Sequence, residues 1–367
     1  MNDCFAVISG GGTAGHVHPG LATAKALVAK GHPVNSVLYV GSSRGIEKEL
    51  IPPAGFELVT VSGEGIPRRN IFSALKAVLK IARGTVQAIQ LLRKRKPKVV
   101  LALGGFACIP CAIAAAVLRI PVVVHEQNAV PGLANRVISR WAYRSAVSFG
   151  GTPLQKAVHT GNPVREEILD MRKIEQATAR ATLGVPKENT LIVVTGGSLG
   201  AYRLNRAVME SVPLLISEKN LTIYHIVGSR DWNEVAASGE DLNQYTDYRP
   251  VEYEYDMPTV LRAADLVISR AGGSITAEIA VLGVPAILIP LPNAPGDHQT
   301  ANAQSLVQSG SAILIADKEC DGKRVARAIS EVIGNPQELP RMRDAFQRES
   351  QLNAAELLVD VLERAAK

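Results

Sequence analysis

Residues 8–20 read ISGGGTAGHVHPG, and they set the expected fold of the chain. The apolar run CFAVIS at 4–9 predicts a buried strand, which passes directly into the three glycines 10–12. The second half of the chain repeats this arrangement at 191–200, LIVVTGGSLG. A strand that runs into a glycine loop and then into a helix is typical of a Rossmann-type parallel sheet.

Short runs rich in β-branched residues recur along the rest of the chain. They alternate with stretches rich in Ala, Leu and Lys that are long enough for helices. The further candidate strands are VNSVLYVG (34–41), KVVLAL (98–103), PVVVHE (121–126), AVSF (146–149), LTIYHIVG (221–228), LVISR (266–270), PAILIP (285–290) and AILI (312–315). This alternation predicts an α/β fold of doubly wound parallel sheets with helices on both faces.

The length of 367 residues suits two domains, and the pattern is interrupted near TGNPVREE at 160–167. We therefore expect a first domain over 1–162, a second over 163–344, and a helix over 345–367 that can pack back on the first. Ligands of such sheets bind beyond the carboxyl ends of the strands. Two domains of this kind that face each other would place the chemistry in a cleft between their glycine loops.

The net charge of +6 and the sequence pI near 9.1 favour partners that carry phosphate: nucleic acid, anionic lipid or a phosphorylated substrate. Four cysteines are too few for a disulfide framework and indicate a reducing compartment. Residues 99–118 carry no charge and are long enough to cross a bilayer, but Gly104, Gly105 and Pro110 interrupt them. That segment predicts a buried strand, a glycine loop and a buried helix.

Gly10, Gly12 and Gly15 form a G-x-G-x-x-G sequence at the start of the first expected helix. Such a loop can bind a phosphate or diphosphate, because its backbone N–H groups and the helix dipole, about half a unit charge, attract anions. The alternative is a tight turn with no ligand. A nicotinamide cofactor would require an acidic residue about 20 positions further on. No Asp or Glu occurs between Asp3 and Glu47, so a dehydrogenase is disfavoured.

His16 follows this loop directly and would lie at its mouth. An ordinary imidazole has a pKa of about 6.5 and can act as a general base near neutral pH. The alternative is a histidine that caps or packs locally, which is how we interpret His18 before Pro19.

Residues 67–98 carry ten Lys or Arg and no acid. Apolar and basic side chains lie side by side there at helical spacing: Ile71, Phe72, Leu75 and Leu79 with Arg68, Arg69, Lys76 and Lys80. Such an amphipathic basic helix suits the surface of an anionic bilayer. The alternatives are a core-facing helix with a solvated basic face and a nucleic-acid patch. With 4% aromatic residues and no recognisable nucleic-acid module, we expect no nucleic-acid partner.

Several motifs occur in order along the chain: GGGTAGHVHPGLA (10–22), GGF (104–106), HEQNAVPGLAN (125–135), TGNPVR (160–165), GGSLGA (196–201), SRAGGSITAEIAVLGVPAILIP (269–290) and DHQTANA (297–303). Through this combination the chain, from about residue 4 to its end, resembles the MurG family of GT-B glycosyltransferases. The resemblance implies two facing Rossmann-like domains with an interdomain cleft, in agreement with the pattern of strands and loops.

The resemblance also implies an activity. A member of this family is a hexosyltransferase that moves N-acetylglucosamine (GlcNAc) from UDP-GlcNAc to the 4-hydroxyl of the N-acetylmuramic acid (MurNAc) of lipid I, with inversion. Lipid I is MurNAc-pentapeptide on undecaprenyl diphosphate. The product of the transfer, lipid II, is a precursor in peptidoglycan synthesis, on which cell wall biogenesis, cell shape and cell division depend. Because the acceptor stays in the membrane, the resemblance implies a peripheral enzyme on the cytoplasmic face of the bacterial inner membrane.

RAGGSITAE at 270–278 follows an expected strand, so the N-terminus of its helix can face the donor diphosphate. Glu278 lies about one turn into that helix, where its carboxylate can accept bonds from both ribose hydroxyls; the alternative is a solvated helix residue. The resemblance implies a donor-binding set: Thr13, Ala14, Gly15, Asn128, Arg165, Ser198, Gly273, Ser274, Glu278 and Gln299. Arg165 would act as a phosphate or interdomain clamp.

The acceptor is expected on the first domain. Four glycines would hold its diphosphate: Gly11, Gly12, Gly104 and Gly105. His16 would take the proton of the acceptor hydroxyl, whereas Glu126 is a weaker candidate that we expect to orient the HEQN loop. Phe106 stands where several family members have Tyr, and ACIPC (107–111) replaces small polar residues, so the acceptor contacts depart from the family pattern in detail.

The chain contains no D-x-D motif, with which many glycosyltransferases hold a divalent metal on the donor diphosphate. We therefore expect no metal and no cofactor, with helix dipoles and Arg165 stabilising the leaving UDP. Cys108 and Cys111 have C-x-x-C spacing, but we interpret them as small residues at a helix start rather than a zinc or redox site. Two alternatives stay open: a UDP-GlcNAc 2-epimerase-like enzyme of the same fold, and a non-enzymatic basic membrane-binding protein.

Overall fold

The computed structural model describes residues 4–42, 45–62, 71–197, 199–347 and 352–367. Only the backbone is described for residues 71–78, 238–240 and 347. The chain divides into two compact units, Met1–Arg165 with Asn353–Lys367, and Glu166–Leu352. The boundary after Arg165 lies close to the predicted junction at 162.

The first unit is built on a seven-stranded parallel sheet. Its strands are β1 (Ala6–Ser9), β2 (Val37–Gly41), β3 (Glu57–Thr60), β4 (Val99–Ala102), β5 (Val122–Glu126), β6 (Arg144–Val147) and β7 (Ala157–His159). The spatial order is β3-β2-β1-β4-β5-β6-β7, and β1 pairs with both β2 and β4. Strands β1, β4 and β5 are buried along their whole length, as expected for central parallel strands that helices cover on both faces.

Among the described residues, this unit has six helices: α1 (Ala14–Ala29), α2 (Glu47–Leu50), α3 (Ile71–Arg95), α4 (Ile109–Val117), α5 (Leu133–Ile138) and α15 (Ala354–Ala365). The uncharged segment 99–118 is strand β4, a glycine turn and the buried helix α4, as predicted. In the described part of the chain, no helix combines the length and the apolar character needed to cross a bilayer.

The second unit is built on a six-stranded parallel sheet. Its strands are β8 (Thr190–Thr195), β9 (Leu221–Ile226), β10 (Asp247–Val251), β11 (Leu266–Ser269), β12 (Ala286–Leu288) and β13 (Ala312–Leu314), in the order β10-β9-β8-β11-β12-β13. Its helices are α6 (Glu166–Met171), α7 (Gln176–Thr182), α8 (Tyr202–Ser211), α9 (Trp232–Leu242), α10 (Met257–Ala263), α11 (Gly273–Leu282), α12 (His298–Ser309), α13 (Gly322–Ile333) and α14 (Glu338–Gln347).

Both sheets have the Rossmann strand order, which confirms the predicted fold class. In each unit the chain starts in the middle of the sheet, runs to one edge, and then returns to build the other half. The reversal falls between β1 and β4 in the first unit and between β8 and β11 in the second. Ligands of such sheets bind at this point, beyond the carboxyl ends of the two strands. The glycine loops that the sequence singles out follow these strands.

Three strands were not predicted from the sequence: β3, β7 and β10. Each lies at the edge of its sheet, and none has a fully buried run of side chains. An edge strand has a partner on one side only and carries more polar residues, so the apolar signal used for the other strands is missing.

The predicted C-terminal helix over 345–367 is wrong as a single element. Helix α14 ends at Gln347 in the second unit, and α15 begins at Ala354 in the first. Helix α15 packs against α1, where Lys30 forms an ion pair with Asp360 and His32 Nε2 lies 3.1 Å from Glu363 Oε1. The end of the chain therefore completes the first unit.

A histidine is buried in a strand of each unit. His125 in β5 lies within 3.2 Å of the Gly161 carbonyl oxygen and 3.0 Å of Gln127 Nε2. His225 in β9 lies 2.7 Å from the Tyr248 hydroxyl. Burial lowers the pKa of His125 to about 4 and that of His225 to about 3. Both rings are therefore neutral in the folded protein near neutral pH.

We expect the free energy of unfolding to fall as the pH is lowered from 7 to 5. In the unfolded chain both imidazoles protonate near a pKa of about 6.5, whereas the folded state keeps them neutral. The unfolded state then binds more protons, so stability is lost as the pH falls through this window, by up to about 1.4 kcal/mol per pH unit for each histidine. Thermal unfolding at several pH values measures this, and a constant midpoint between pH 7 and 5 would contradict it.

Candidate active site

The carboxyl ends of β1, β4 and β5 lie side by side in the first unit, because these strands are neighbours in a parallel sheet. The loops that follow them are the glycine loop 10–13, the glycine turn 103–105 and the HEQN loop 125–132. Three motifs that are far apart in the sequence are thereby brought to one edge of one sheet.

His16 lies in the first turn of α1 and is half-buried. Its Nδ1 atom is 3.1 Å from Thr13 Oγ1, within hydrogen-bond distance. The other ring nitrogen, Nε2, lies over the glycine turn: a Cβ atom on Gly104 would be 3.2 Å from it. Gly104 and Gly105 both have positive φ, +98° and +70°, so their conformation favours glycine, and at Gly104 a Cβ would also be crowded. The ring is therefore held between Thr13 and the turn.

Glu126 ends β5, and its buried carboxylate accepts four hydrogen bonds. Oε1 accepts from the backbone N and the side-chain Nδ2 of Asn128, at 3.1 and 3.2 Å. Oε2 accepts from Gly132 N at 3.0 Å and from Asn135 Nδ2 at 2.8 Å. These bonds tie both ends of the HEQN loop to one side chain, an arrangement that suits an orienting role.

Asn135 connects this network to the glycine turn. Its Nδ2 also donates to the His125 carbonyl oxygen at 3.0 Å, and a Cβ atom on Gly104 would lie 3.1 Å from it. Gln127 Nε2 donates to the Leu103 carbonyl oxygen at 2.9 Å. Neither Asn135 nor Gln127 was singled out from the sequence, although both lie inside the HEQNAVPGLAN motif.

Glu47 is a further residue that the sequence did not reveal as part of this edge. It begins α2, after β2, and is fully buried. Its Oε2 accepts a hydrogen bond of 3.0 Å from the backbone N of Gly12. The only sequence signal was an acidic residue shortly after the strand that neighbours β1.

Cys108 and Cys111 lie at the start of α4, as predicted, and both are buried. Cys108 Sγ donates to the Gly105 carbonyl oxygen at 3.2 Å. Burial raises the pKa of the Cys108 thiol to about 12 and that of Cys111 to about 11, so both are protonated at neutral pH. No group of three or more His, Cys, Asp or Glu side chains placed to hold a metal occurs among the described residues.

In the second unit, helix α11 begins at Gly273, directly after the loop that follows β11. Ser274 and Glu278 are four residues apart and share one face of this helix. Glu278 is 6% exposed, so it is not the solvated helix residue that was the alternative. Ser274 Oγ is buried and has no hydrogen-bond partner within the described part of the chain. A ligand bound at this helix start could supply the missing partner.

Gln299 lies in the first turn of α12, and its amide oxygen is used by the fold. Oε1 accepts from Ala271 N at 3.2 Å and from Leu291 N at 2.9 Å, which ties together the loops after β11 and β12. The amide NH₂ is therefore the group through which Gln299 could contact a sugar. Arg270, which the sequence did not single out, joins the same loops: it donates to the carbonyl oxygens of Ile289 and Pro290 at 3.1 and 3.0 Å, and its guanidinium also pairs with Asp317 at 2.6 Å.

Part of the predicted set is not placed. Ser198, Arg68 and Arg69 lie outside the described residues, as do the side chains of Ile71, Phe72, Leu75 and Lys76. On the described part of α3, Leu79 is 62% exposed and Lys80 is exposed, while Ala88 and Leu92 face the core.

Comparisons with known proteins cover both units. Residues 6–147 match the glycosyltransferase family 28 N-terminal domain, and residues 191–358 match the glycosyltransferase family 28 C-terminal domain. The crystal structure of UDP-GlcNAc 2-epimerase from Neisseria meningitidis bound to UDP-GlcNAc has a TM-score of 0.67 and covers 98% of this chain and 99% of its own. At 16% identity this likeness shows the fold alone.

Two further comparisons are more specific. The UDP-N-acetylglucosamine–N-acetylmuramyl-(pentapeptide) pyrophosphoryl-undecaprenol N-acetylglucosamine transferase of Halothermothrix orenii is 38% identical over 98% of this chain and 99% of its own. The crystal structure of Acinetobacter baumannii MurG has a TM-score of 0.79 at 29% identity and covers 98% of this chain and 99% of its own. The chain therefore belongs to the MurG family of glycosyltransferases, the UDP-N-acetylglucosamine–N-acetylmuramyl-(pentapeptide) pyrophosphoryl-undecaprenol N-acetylglucosamine transferases.

Proposed function

We propose that this protein transfers GlcNAc from UDP-GlcNAc to the 4-hydroxyl of the MurNAc of lipid I, with inversion, and releases lipid II and UDP. The observation that carries the proposal is the match to relatives named for this reaction over 98% of the chain. The placement of His16 between Thr13 and the glycine turn supports it, because it offers an oriented base at the carboxyl edge of the sheet.

His16 is the proposed general base. As the acceptor O4 forms its bond to the anomeric carbon, the bond from that carbon to the UDP oxygen breaks, and the O4 proton passes to His16 Nε2. Thr13, whose hydroxyl lies 3.1 Å from Nδ1, keeps Nε2 directed toward the acceptor. Glu126 orients the HEQN loop in this scheme and moves no proton, because its carboxylate already accepts four hydrogen bonds.

The second unit is the proposed donor-binding domain. Glu278 would accept hydrogen bonds from the ribose hydroxyls, and the NH₂ of Gln299 would donate to the sugar. The N-terminus of α11 would face the diphosphate, whose charge increases as UDP leaves. Arg165, Asn128 and Ser198 stay in the proposed donor set on the strength of the family motifs alone.

Transfer should persist in EDTA. The chain has no D-x-D motif, and in our proposal the dipole of α11 and Arg165 stabilise the leaving group. We expect the same rate with EDTA in excess as with added Mg²⁺. Loss of activity in EDTA that Mg²⁺ restores would overturn this part of the account.

The proposed function predicts that UDP release requires the acceptor. A coupled assay follows UDP formation from UDP-GlcNAc with and without a short-chain lipid I analogue, and the sugar nucleotide is then analysed for the 2-epimer. We expect UDP only when both substrates are present. Epimer formed from UDP-GlcNAc alone would favour the epimerase alternative, since an enzyme of that kind has the same fold.

We also propose that the segment 67–83, which includes the first part of α3, docks the enzyme on the anionic cytoplasmic face of the inner membrane. Basic residues near such a surface contribute about 1 kcal/mol each. Changing Arg68, Arg69, Lys76 and Lys80 together to Gln should therefore weaken binding to phosphatidylglycerol-containing vesicles by about 100-fold or more. Vesicle co-sedimentation at fixed salt measures this effect.

The matched control for this charge change lies on the second unit. Changing Lys318, Lys323, Arg324 and Arg327 to Gln removes the same charge and should leave vesicle binding close to that of the wild type. Equal losses in both quadruple variants would mean that net charge alone drives binding. Unchanged binding in the variant at Arg68, Arg69, Lys76 and Lys80 would rule out docking through the segment 67–83.

A further inference from the structure

The carboxylate of Glu47 sits in a pocket formed by glycines. Glu47 is fully buried, although it is a charged residue at the start of a short helix. A Cβ atom on Gly11, Gly41 or Gly45 would collide with this side chain. Glycine at these three positions therefore leaves the space that the Glu47 carboxylate fills.

Within the described residues, three hydrogen bonds hold the carboxylate in place. Oε2 accepts from Gly12 N at 3.0 Å, and Oε1 accepts from Ser42 N at 2.6 Å and from Ser42 Oγ at 3.0 Å. Gly12 belongs to the loop after β1, and Ser42 follows β2. One buried anion thus connects the loop that leads into α1 and His16 to the neighbouring strand.

This contact bears on which amides can bind the acceptor. The sequence assigned the acceptor diphosphate to both glycine loops, including Gly12. A backbone N–H that points at a buried carboxylate already has an anionic partner, and a phosphate oxygen at the same place would meet a like charge. The turn at Gly104 and Gly105, which lies beside the His16 ring, then remains as the candidate site for that diphosphate.

We propose that Glu47 is a positioning residue. Its carboxylate occupies the Gly12 amide, where a phosphate oxygen would otherwise bind, and so fixes the loop 10–13 that leads into His16. The acceptor diphosphate then binds at the turn 104–105. The inference rests on the proposed function for its substrate. Its structural part, that Glu47 holds the loop, does not depend on that function.

The test compares Glu47→Gln with wild type in steady-state transfer and in amide hydrogen exchange. Glutamine has the same shape, but its NH₂ would face one of the N–H donors of Gly12 or Ser42. A loop displaced by a fraction of an ångström can lower catalysis strongly. We expect kcat/KM for the acceptor to fall by about 10-fold or more. Exchange of the Gly12 amide should become faster, while exchange in α11 stays the same.

Tyr39→Phe is the matched control. The Tyr39 hydroxyl is buried and has no hydrogen-bond partner in the described ranges of the chain. Burial, and then the charge of Glu47, raise the pKa of this hydroxyl. Removing it should leave transfer and Gly12 exchange unchanged. Because this variant also alters a buried side chain of β2, the strand that Ser42 follows, it separates a role of the Glu47 carboxylate from general damage to this part of the unit.

Two outcomes would overturn the proposal. A lower acceptor KM in Glu47→Gln would mean that the Gly12 amide does bind the diphosphate and that Glu47 opposes it. Unchanged transfer and unchanged exchange would mean that Glu47 positions nothing. If wild type itself transfers no GlcNAc, the proposed function fails, and faster Gly12 exchange in the variant would still support the loop-holding role.

Discussion

Replacing His16 by alanine is expected to lower kcat for GlcNAc transfer by about 100-fold or more. In our account the acceptor hydroxyl loses its proton to His16 Nε2, and the ring is held in place by Thr13 on one side and by Gly104 on the other. Alanine keeps the helix, because residue 16 lies in the first turn of α1 and alanine has high helix propensity. The loss should therefore appear in kcat, with UDP-GlcNAc affinity and the unfolding midpoint close to wild type.

His18→Ala is the control for His16→Ala. It removes a second histidine from the same helix, one that we interpret as packing beside Pro19. A transfer rate near that of the wild type is expected. If both variants transfer at similar rates to wild type, His16 is not the base, although the reaction itself would stand. A second measurement sharpens the assignment: His16→Gln should remove the acidic limb of the kcat–pH profile.

Replacing Glu126 by alanine is expected to destabilise the first unit by about 3 kcal/mol or more, because four hydrogen bonds to a buried carboxylate are lost. For a unit of this size, each kcal/mol of lost stability lowers the unfolding midpoint by about 2–4 °C. We therefore expect the midpoint to fall by roughly 6–12 °C. Differential scanning calorimetry measures it. Glu356→Ala, an exposed glutamate on α15 of the same unit, should change stability by no more than about 0.5 kcal/mol.

Glu126→Gln distinguishes an orienting residue from a proton carrier. Its NH₂ would face donors on Asn128 or on Gly132 and Asn135, so we expect reduced stability here too. The folded fraction should nevertheless retain most of its kcat. A glutamine variant with wild-type stability and abolished transfer would contradict our account and make Glu126 the acid–base group.

The sequence predicted the two Rossmann-like sheets because their central strands are buried on both faces and read as continuous apolar runs. The edge strands β3, β7 and β10 carry no such run, so they were missed. The division of the C-terminal stretch into α14 and α15 was also missed, since periodicity alone does not show which unit an amphipathic helix packs on.

The sequence also pointed to His16 and Gly104 through the glycine loops after the expected strands, and to Glu126 through the HEQN motif of the family. It could not show which backbone amides the fold itself uses. The contact between Gly12 and Glu47 joins residues 35 positions apart, across two strands, and no local spacing encodes it. Gln299 is a similar case, since its amide oxygen is taken up by two loops that only the sheet brings together.

The most direct test of the central claim is the product of the reaction itself. Radiolabelled UDP-GlcNAc is incubated with a short-chain lipid I analogue, and the lipid product is analysed by mass spectrometry and by NMR of the new linkage. Our account predicts one added GlcNAc, joined in the β configuration to O4 of MurNAc, with the diphosphate of the acceptor intact. An acceptor that stays unmodified while UDP-GlcNAc is bound or epimerised would contradict it.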